Sequence, residues 1–84
     1  MSCNMTPSEI KALRKSFNMS QATFAKALNV GETTIKRYET GVHPAQGATL
    51  LLLKLLEQDP FLIQSYMRIT LNNFTDQEIE RFYN

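Results

Sequence analysis

The chain has one cysteine, one histidine and no tryptophan among its 84 residues. A single thiol, Cys3, excludes an internal disulfide framework. Cys3 and His43 are too few for a structural zinc site of Cys and His ligands, so no metal is expected. Glycine is scarce, at three residues, and no Gly-rich phosphate loop can be drawn. The carboxylates are scattered and the lone His43 precedes Pro44, so no nucleophile and base fall into a readable arrangement. The expectation is a protein that is not an enzyme and takes no cofactor. No apolar run approaches the roughly 20 residues of a membrane-spanning helix. The start, Met1-Ser2-Cys3-Asn4-Met5, lacks the charged and apolar regions of a secretory leader. A cytoplasmic chain with no membrane partner is expected.

Net charge is also nearly absent, with 9 Lys+Arg against 8 Asp+Glu. The balance hides an asymmetry. Residues 1–43 hold six basic and three acidic side chains, a net of +3, and residues 44–84 hold three basic and five acidic, a net of −2. A basic front half suits a polyanion and an acidic rear half does not. Taken alone, an excess of this size is an ordinary solvated surface. Hydrophobic residues at 43% and charged residues at 20% are those of a folded domain rather than a disordered one. The length allows a single thin core, which a partner or a second copy would help to stabilise.

The apolar pattern is helical throughout and no segment alternates as a strand. Thr6-Pro7-Ser8-Glu9 is a capping box with proline at the first helical position, opening a helix over about 7–17 with Ile10, Leu13 and Phe17 on one face. Ser20 caps a second helix over 21–28, burying Phe24, Ala25 and Leu28. Asn29-Val30-Gly31 forms a tight turn, since Asn and Gly accept left-handed backbone cheaply. A third helix runs over 32–40 with Ile35 and Tyr38 inward, and Gly41 caps its end. A fourth begins near Gln46 or Gly47 and ends near Gln58. Its residues 50–56 are apolar nearly all round. Asp59-Pro60 restarts the chain as a fifth helix over about 60–69 with Phe61, Leu62, Ser65 and Tyr66. After an irregular stretch at 71–74, Thr75-Asp76-Gln77-Glu78 is a second capping box for a final helix through Tyr83.

Residues 21–40 carry the functional information. A helix-turn-helix needs a small residue early in its first helix, and Ala25 is there. It needs an apolar wedge between the helices, and Phe24, Leu28, Val30, Ile35 and Tyr38 provide one. The outward positions that remain, Glu32, Thr33, Lys36 and Arg37, are polar and of a length that reaches base edges or phosphates. Outside this register they would be an ordinary solvated face.

In this register Leu13-Arg14-Lys15, Ser20-Gln21, Phe24-Ala25 and Thr34-Ile35-Lys36-Arg37-Tyr38-Glu39-Thr40-Gly41 resemble the lambda-repressor-like Xre/Cro helix-turn-helix family. Within it, Val30-Gly31-Glu32-Thr33-Thr34-Ile35 with Arg37-Tyr38-Glu39 is most similar to the DNA-binding domain of MqsA-type antitoxins. The resemblance covers about residues 6–60; it includes no counterpart of the zinc-binding domain that many of those carry and does not extend over the stretch after Asp59. The resemblance implies an all-α, lambda-repressor-like domain of four to five helices over 1–60; the surplus of apolar residues at 50–56 and in the helical pattern beyond it adds the expectation of a helical C-terminal extension over 61–84 for dimerisation or partner binding. It implies that Glu32, Thr33 and Arg37 contact bases, with Arg37 suited to guanine, and that Gln21, Thr23, Thr34 and Lys36 contact phosphates. Arg14 and Glu39 match a family pair that forms a structural salt bridge. The implied function is sequence-specific repression by a homodimer on a pseudo-palindromic operator in double-stranded DNA, in an antitoxin-like or mobile-element setting. Two alternatives stay open: an antitoxin whose main role is to bind and neutralise a toxin protein, and a helix-turn-helix module that binds only protein.

Overall fold

The computed structural model describes residues 4–70, 74–75 and 77–79, and over them the chain is helical, with no strand. Five helices follow in order: α1 (Pro7–Ser16), α2 (Gln21–Leu28), α3 (Glu32–Thr40), α4 (Gly47–Gln58) and α5 (Leu62–Ile69). A helical turn follows at 77–79. This is an all-α fold consistent with a lambda-repressor-like domain. No helix among the described residues is long and apolar enough to cross a membrane.

Local chemistry explains most boundaries. The Thr6 hydroxyl accepts from the Glu9 N–H at 3.1 Å while the Glu9 carboxylate accepts from the Thr6 N–H at 2.8 Å, closing the capping box on α1. Those bonds hold the exposed Glu9 carboxyl below its ordinary pKa. Ser20 accepts from the Thr23 N–H at 3.1 Å and opens α2. Asn29 ends α2 in the left-handed conformation at φ 59°. Gly31 does not share it. At φ −73° it is extended, and a single left-handed residue suffices to turn the chain into α3. Gly41, at φ 82°, closes α3 as a left-handed cap, where a side chain would be strained.

α3 packs on α1 and α2, α4 packs on α1, and α5 packs on α2 and α4. Phe24 and Ile35 fill the wedge between α2 and α3 with no exposure, and Val30 and Tyr38 are half-buried beside them. Phe17 of the α1 cap stacks on Phe24, ring centroids 6.4 Å apart. Leu53, Leu56, Ile63, Met67 and Ile79 join Ile10, Phe24 and Ile35 as the largest fully buried side chains. α5 and the 77–79 turn thus belong to the same core as the helix-turn-helix. The Tyr66 hydroxyl donates to the Leu52 carbonyl at 2.8 Å and ties α5 to α4, and burial raises its pKa.

Two expectations shift in the rear half. The nearly all-apolar stretch of α4 resolves into buried Leu53 and Leu56, half-buried Leu50 and Leu52, and exposed Leu51 and Leu55. α5 begins at Leu62 rather than at 60, because the Asp59 carboxylate accepts from the Phe61 N–H and the Asp59 carbonyl from the Leu62 N–H, making an entry turn of Pro60 and Phe61. Its inner face is Ile63, Tyr66 and Met67, and Phe61 and Ser65 point outward. The second capping box is present, with Thr75 and Glu78 exchanging bonds of 3.0 and 3.1 Å. Residues 71–73 and the expected course of the last helix through Tyr83 lie outside the described residues.

Candidate nucleic-acid interface

Helix α3 sorts its side chains by period. Ile35 points into the core, and Glu32, Thr33, Lys36 and Arg37 stand together on the exposed side at i,i+4 spacing. Glu32 and Lys36 form an exposed ion pair at 3.4 Å, worth only tenths of a kcal/mol. Arg37 and Thr33 make no side-chain hydrogen bond with any described residue, so both are unengaged. Thr34 is half-buried and lines a shallow polar groove of about 260 Å³ with Arg37, Tyr38, His43, Pro44 and Gln46. That groove places the loop after α3 beside the recognition face.

The start of α2 approaches the same region. Thr23 is half-buried, and its hydroxyl accepts from Ser20 at 3.0 Å, leaving its own hydrogen to donate. Gln21 is also half-buried. Its Nε2 donates to Glu39 Oε1 on α3 at 3.2 Å. Of the four residues expected to meet phosphates, Lys36 is exposed and free-standing apart from Glu32. The other three lie in the first turns of α2 and α3 and are half-buried.

Behind this face lies an ion pair. Arg14 Nε donates to Glu39 Oε2 at 2.7 Å and Nη2 to Oε1 at 3.0 Å, a two-pronged contact that a planar guanidinium makes and an ammonium does not. Arg14 Nη1 donates to the Met19 carbonyl at 2.9 Å, just ahead of the α2 cap. The Arg14 and Glu39 side chains are 10% and 4% exposed, so the pair is screened from water. Burial pushes the Glu39 carboxyl up, but the bonds from Arg14 and Gln21 and the positive fields of Arg14 and Lys11 outweigh it, and its pKa falls below the usual carboxylate value. The bond to Glu39 raises the Arg14 pKa further, against burial. Sequence reasoning reached the pair but not the Gln21 and Met19 bonds, which depend on how closely α2 approaches α3. Among the described residues no group of three His, Cys, Asp or Glu side chains gathers to hold a metal.

Two short helices meeting at a left-handed asparagine, the second with a polar outward row, define a helix-turn-helix domain. The sequence matches a family described as helix-turn-helix over residues 10–59, more than half of the chain. Antitoxin HigA-2 of Vibrio cholerae serotype O1 (strain ATCC 39315 / El Tor Inaba N16961) is 37% identical to it over 57 residues, covering 68% of this chain. The chain spans about half of that relative's length, the match taking in 55% of it. The chain belongs to the Xre/Cro helix-turn-helix family. These likenesses establish the wider family and do not single out the MqsA type within it.

Proposed function

We propose that the protein is a sequence-specific transcriptional repressor of the antitoxin or mobile-element kind, acting as a homodimer on a pseudo-palindromic operator. The observation that carries this is the outward row of α3, where Arg37 is exposed and unengaged beside Thr33 and Glu32. In a major groove Arg37 would bond guanine O6 and N7 together, Glu32 would accept from a cytosine amino group, and Thr33 would meet either an edge or a thymine methyl. Gln21, Thr23, Thr34 and Lys36 would fix the register by holding phosphates. Arg14 and Glu39 are structural: Arg14 commits three of its five N–H donors to Glu39 and the Met19 carbonyl.

Arithmetic and surface both support the dimer. The nine residues of α3 span roughly 13 Å at 1.5 Å per residue, about four base pairs. One copy therefore reads too little sequence to find a site, and two copies on half-sites about 34 Å apart read enough. The outward apolar residues of the rear half supply a face for the second copy: Leu51 at 60% exposure, Leu55, Phe61 and Ile69. A dimer overlapping a promoter would exclude polymerase.

The test is selection of bound sequences from random DNA at two salt concentrations. A recovered two-fold symmetric site whose binding falls steeply with salt supports the proposal. Recovery of no preferred sequence would sink it. The likeness to Antitoxin HigA-2 favours a second reading, in which the apolar rear face neutralises a toxin and DNA binding is secondary. The two separate cleanly: on the second, Arg37→Ala would abolish operator preference and leave neutralisation of a co-expressed toxin intact.

A further inference from the structure

Resting on the assignment of Gln21 to a phosphate, we propose that Glu39 is a positioning residue for DNA binding, its carboxylate holding the Gln21 amide in the attitude that meets the phosphate. Gln21 is the first residue of α2, and Glu39 lies 18 residues on, near the end of α3. A glutamine at a helix start has three free torsions and no intrinsic reason to point at DNA. Here Nε2 is tied to Glu39 Oε1 at 3.2 Å. That bond uses one amide hydrogen and leaves the second to donate outward. Ser20 already occupies the Thr23 N–H, so the N–H groups of Gln21 and Ala22 remain at the helix mouth beside that second hydrogen.

Glu39 can do this only because of what stands behind it. A bare carboxylate near a phosphate would repel it. Arg14 cancels the charge through two bonds to the same carboxylate, and its third bond, to the Met19 carbonyl, fixes the approach to α2. The outcome is an acceptor without net charge, 4% exposed, built into the recognition helix and aimed at the start of its neighbour. α3 thus presents its own base-reading side chains and also sets the phosphate contact of α2.

The experiment scans the selected operator with single neutral methylphosphonates and measures binding by the full chain. Gln21→Ala should lose sensitivity at one phosphate. Arg14→Met combined with Glu39→Met exchanges the buried pair for apolar groups, a change that proteins often tolerate. That variant should lose sensitivity at the same phosphate, bind about fivefold more weakly as for one lost hydrogen bond, and lose nothing more when Gln21→Ala is added. Arg14→Met with Glu39→Gln, which returns an acceptor to Gln21, should recover the phosphate. A wild-type methylphosphonate pattern in the paired Met variant, or losses that simply add to those of Gln21→Ala, would overturn the proposal. If Gln21→Ala itself leaves every phosphate sensitive, the phosphate assignment fails and the proposal with it. A second measurement needs no variant: in the free chain the Gln21 side-chain amide should be as ordered as rigid backbone, with an order parameter near about 0.85, and a value below about 0.6 overturns the positioning role.

Discussion

The front and rear of this molecule solve the same packing problem to different degrees. In α1 and α2 both N-termini are closed by side chains, Thr6 and Ser20, and a buried ion pair locks α1 to α3. In α4 and α5 neither Gln46 nor Phe61 gives a side-chain cap, and Leu51, Leu55, Phe61 and Ile69 stand in water. Both halves feed one core, so the contrast is not between a folded part and an appendage. It separates a surface finished within the chain from one that another surface would complete. Specific polar bonds fix Gln21, Arg14 and Glu39 behind the face proposed to read DNA. Non-directional apolar area is left on the face proposed for association.

The sharpest way to break the contrast is at its strongest bond. Glu39→Ala should lower stability by about 3 kcal/mol, because it leaves the Arg14 charge buried without a partner. The check is a denaturant midpoint that falls with its slope unchanged. The same pair sets a pH dependence. The folded Glu39 pKa lies below its unfolded value, so its stabilisation is complete above the ordinary carboxylate pKa of about 4.3 and drains as pH falls through the folded value. Between neutral pH and about pH 3 the wild type should lose more stability than Glu39→Gln does. Equal losses would mean that the pair is solvated.

Next in size is the rear face. Leu51→Asp, at an outward position, should leave the helical content intact but give monomers in sedimentation. Operator affinity should fall about 100-fold as the second half-site is lost. Dimers of undiminished affinity would move the interface elsewhere. Smaller again, Arg37→Ala should remove about 1–3 kcal/mol of discrimination between operator and scrambled DNA with an unchanged melting temperature. The smallest effects sharpen the difference in capping. Ser20→Ala should cost about 1 kcal/mol, whereas Gln46→Ser, which offers α4 a cap that it lacks, should gain up to about 1 kcal/mol. Thermal unfolding of the two variants reads both signs.

The front half was legible because its signals are local. A Thr with Glu three residues on, a Ser before a periodic run, an Asn at a turn and a Gly at a helix end each act within one turn of chain. The bounds of α2 and α3, 21–28 and 32–40, follow from them. In the rear half the bounds of α4 and the Thr75–Glu78 box were legible too, but the packed face of α4 was not, because residues 50–56 are leucine at every position except Lys54 and the period says only that a helix forms. Its orientation is set by contact with α1 and α5. The Gln21 bond to Glu39 and the Lys26 ammonium over the Phe74 ring at 4.7 Å lie between residues distant in sequence. No spacing announces them. Gly31 misled for a related reason: Asn29 alone supplies the reversal, and the glycine is left with the ordinary duty of leading into α3.

The bond from Arg14 to the Met19 carbonyl has a consequence for motion. Through it and through Glu39, one guanidinium holds α1, the lead into α2 and the end of α3 together. Fraying α3 alone would strand a charge in the interior, so these three segments are expected to open and close as one cooperative unit. Amide hydrogens along α3 should then exchange with solvent at rates matching those of α1. On the proposed function a molecule would then offer a whole reading surface or none, and the association rate would count complete surfaces only.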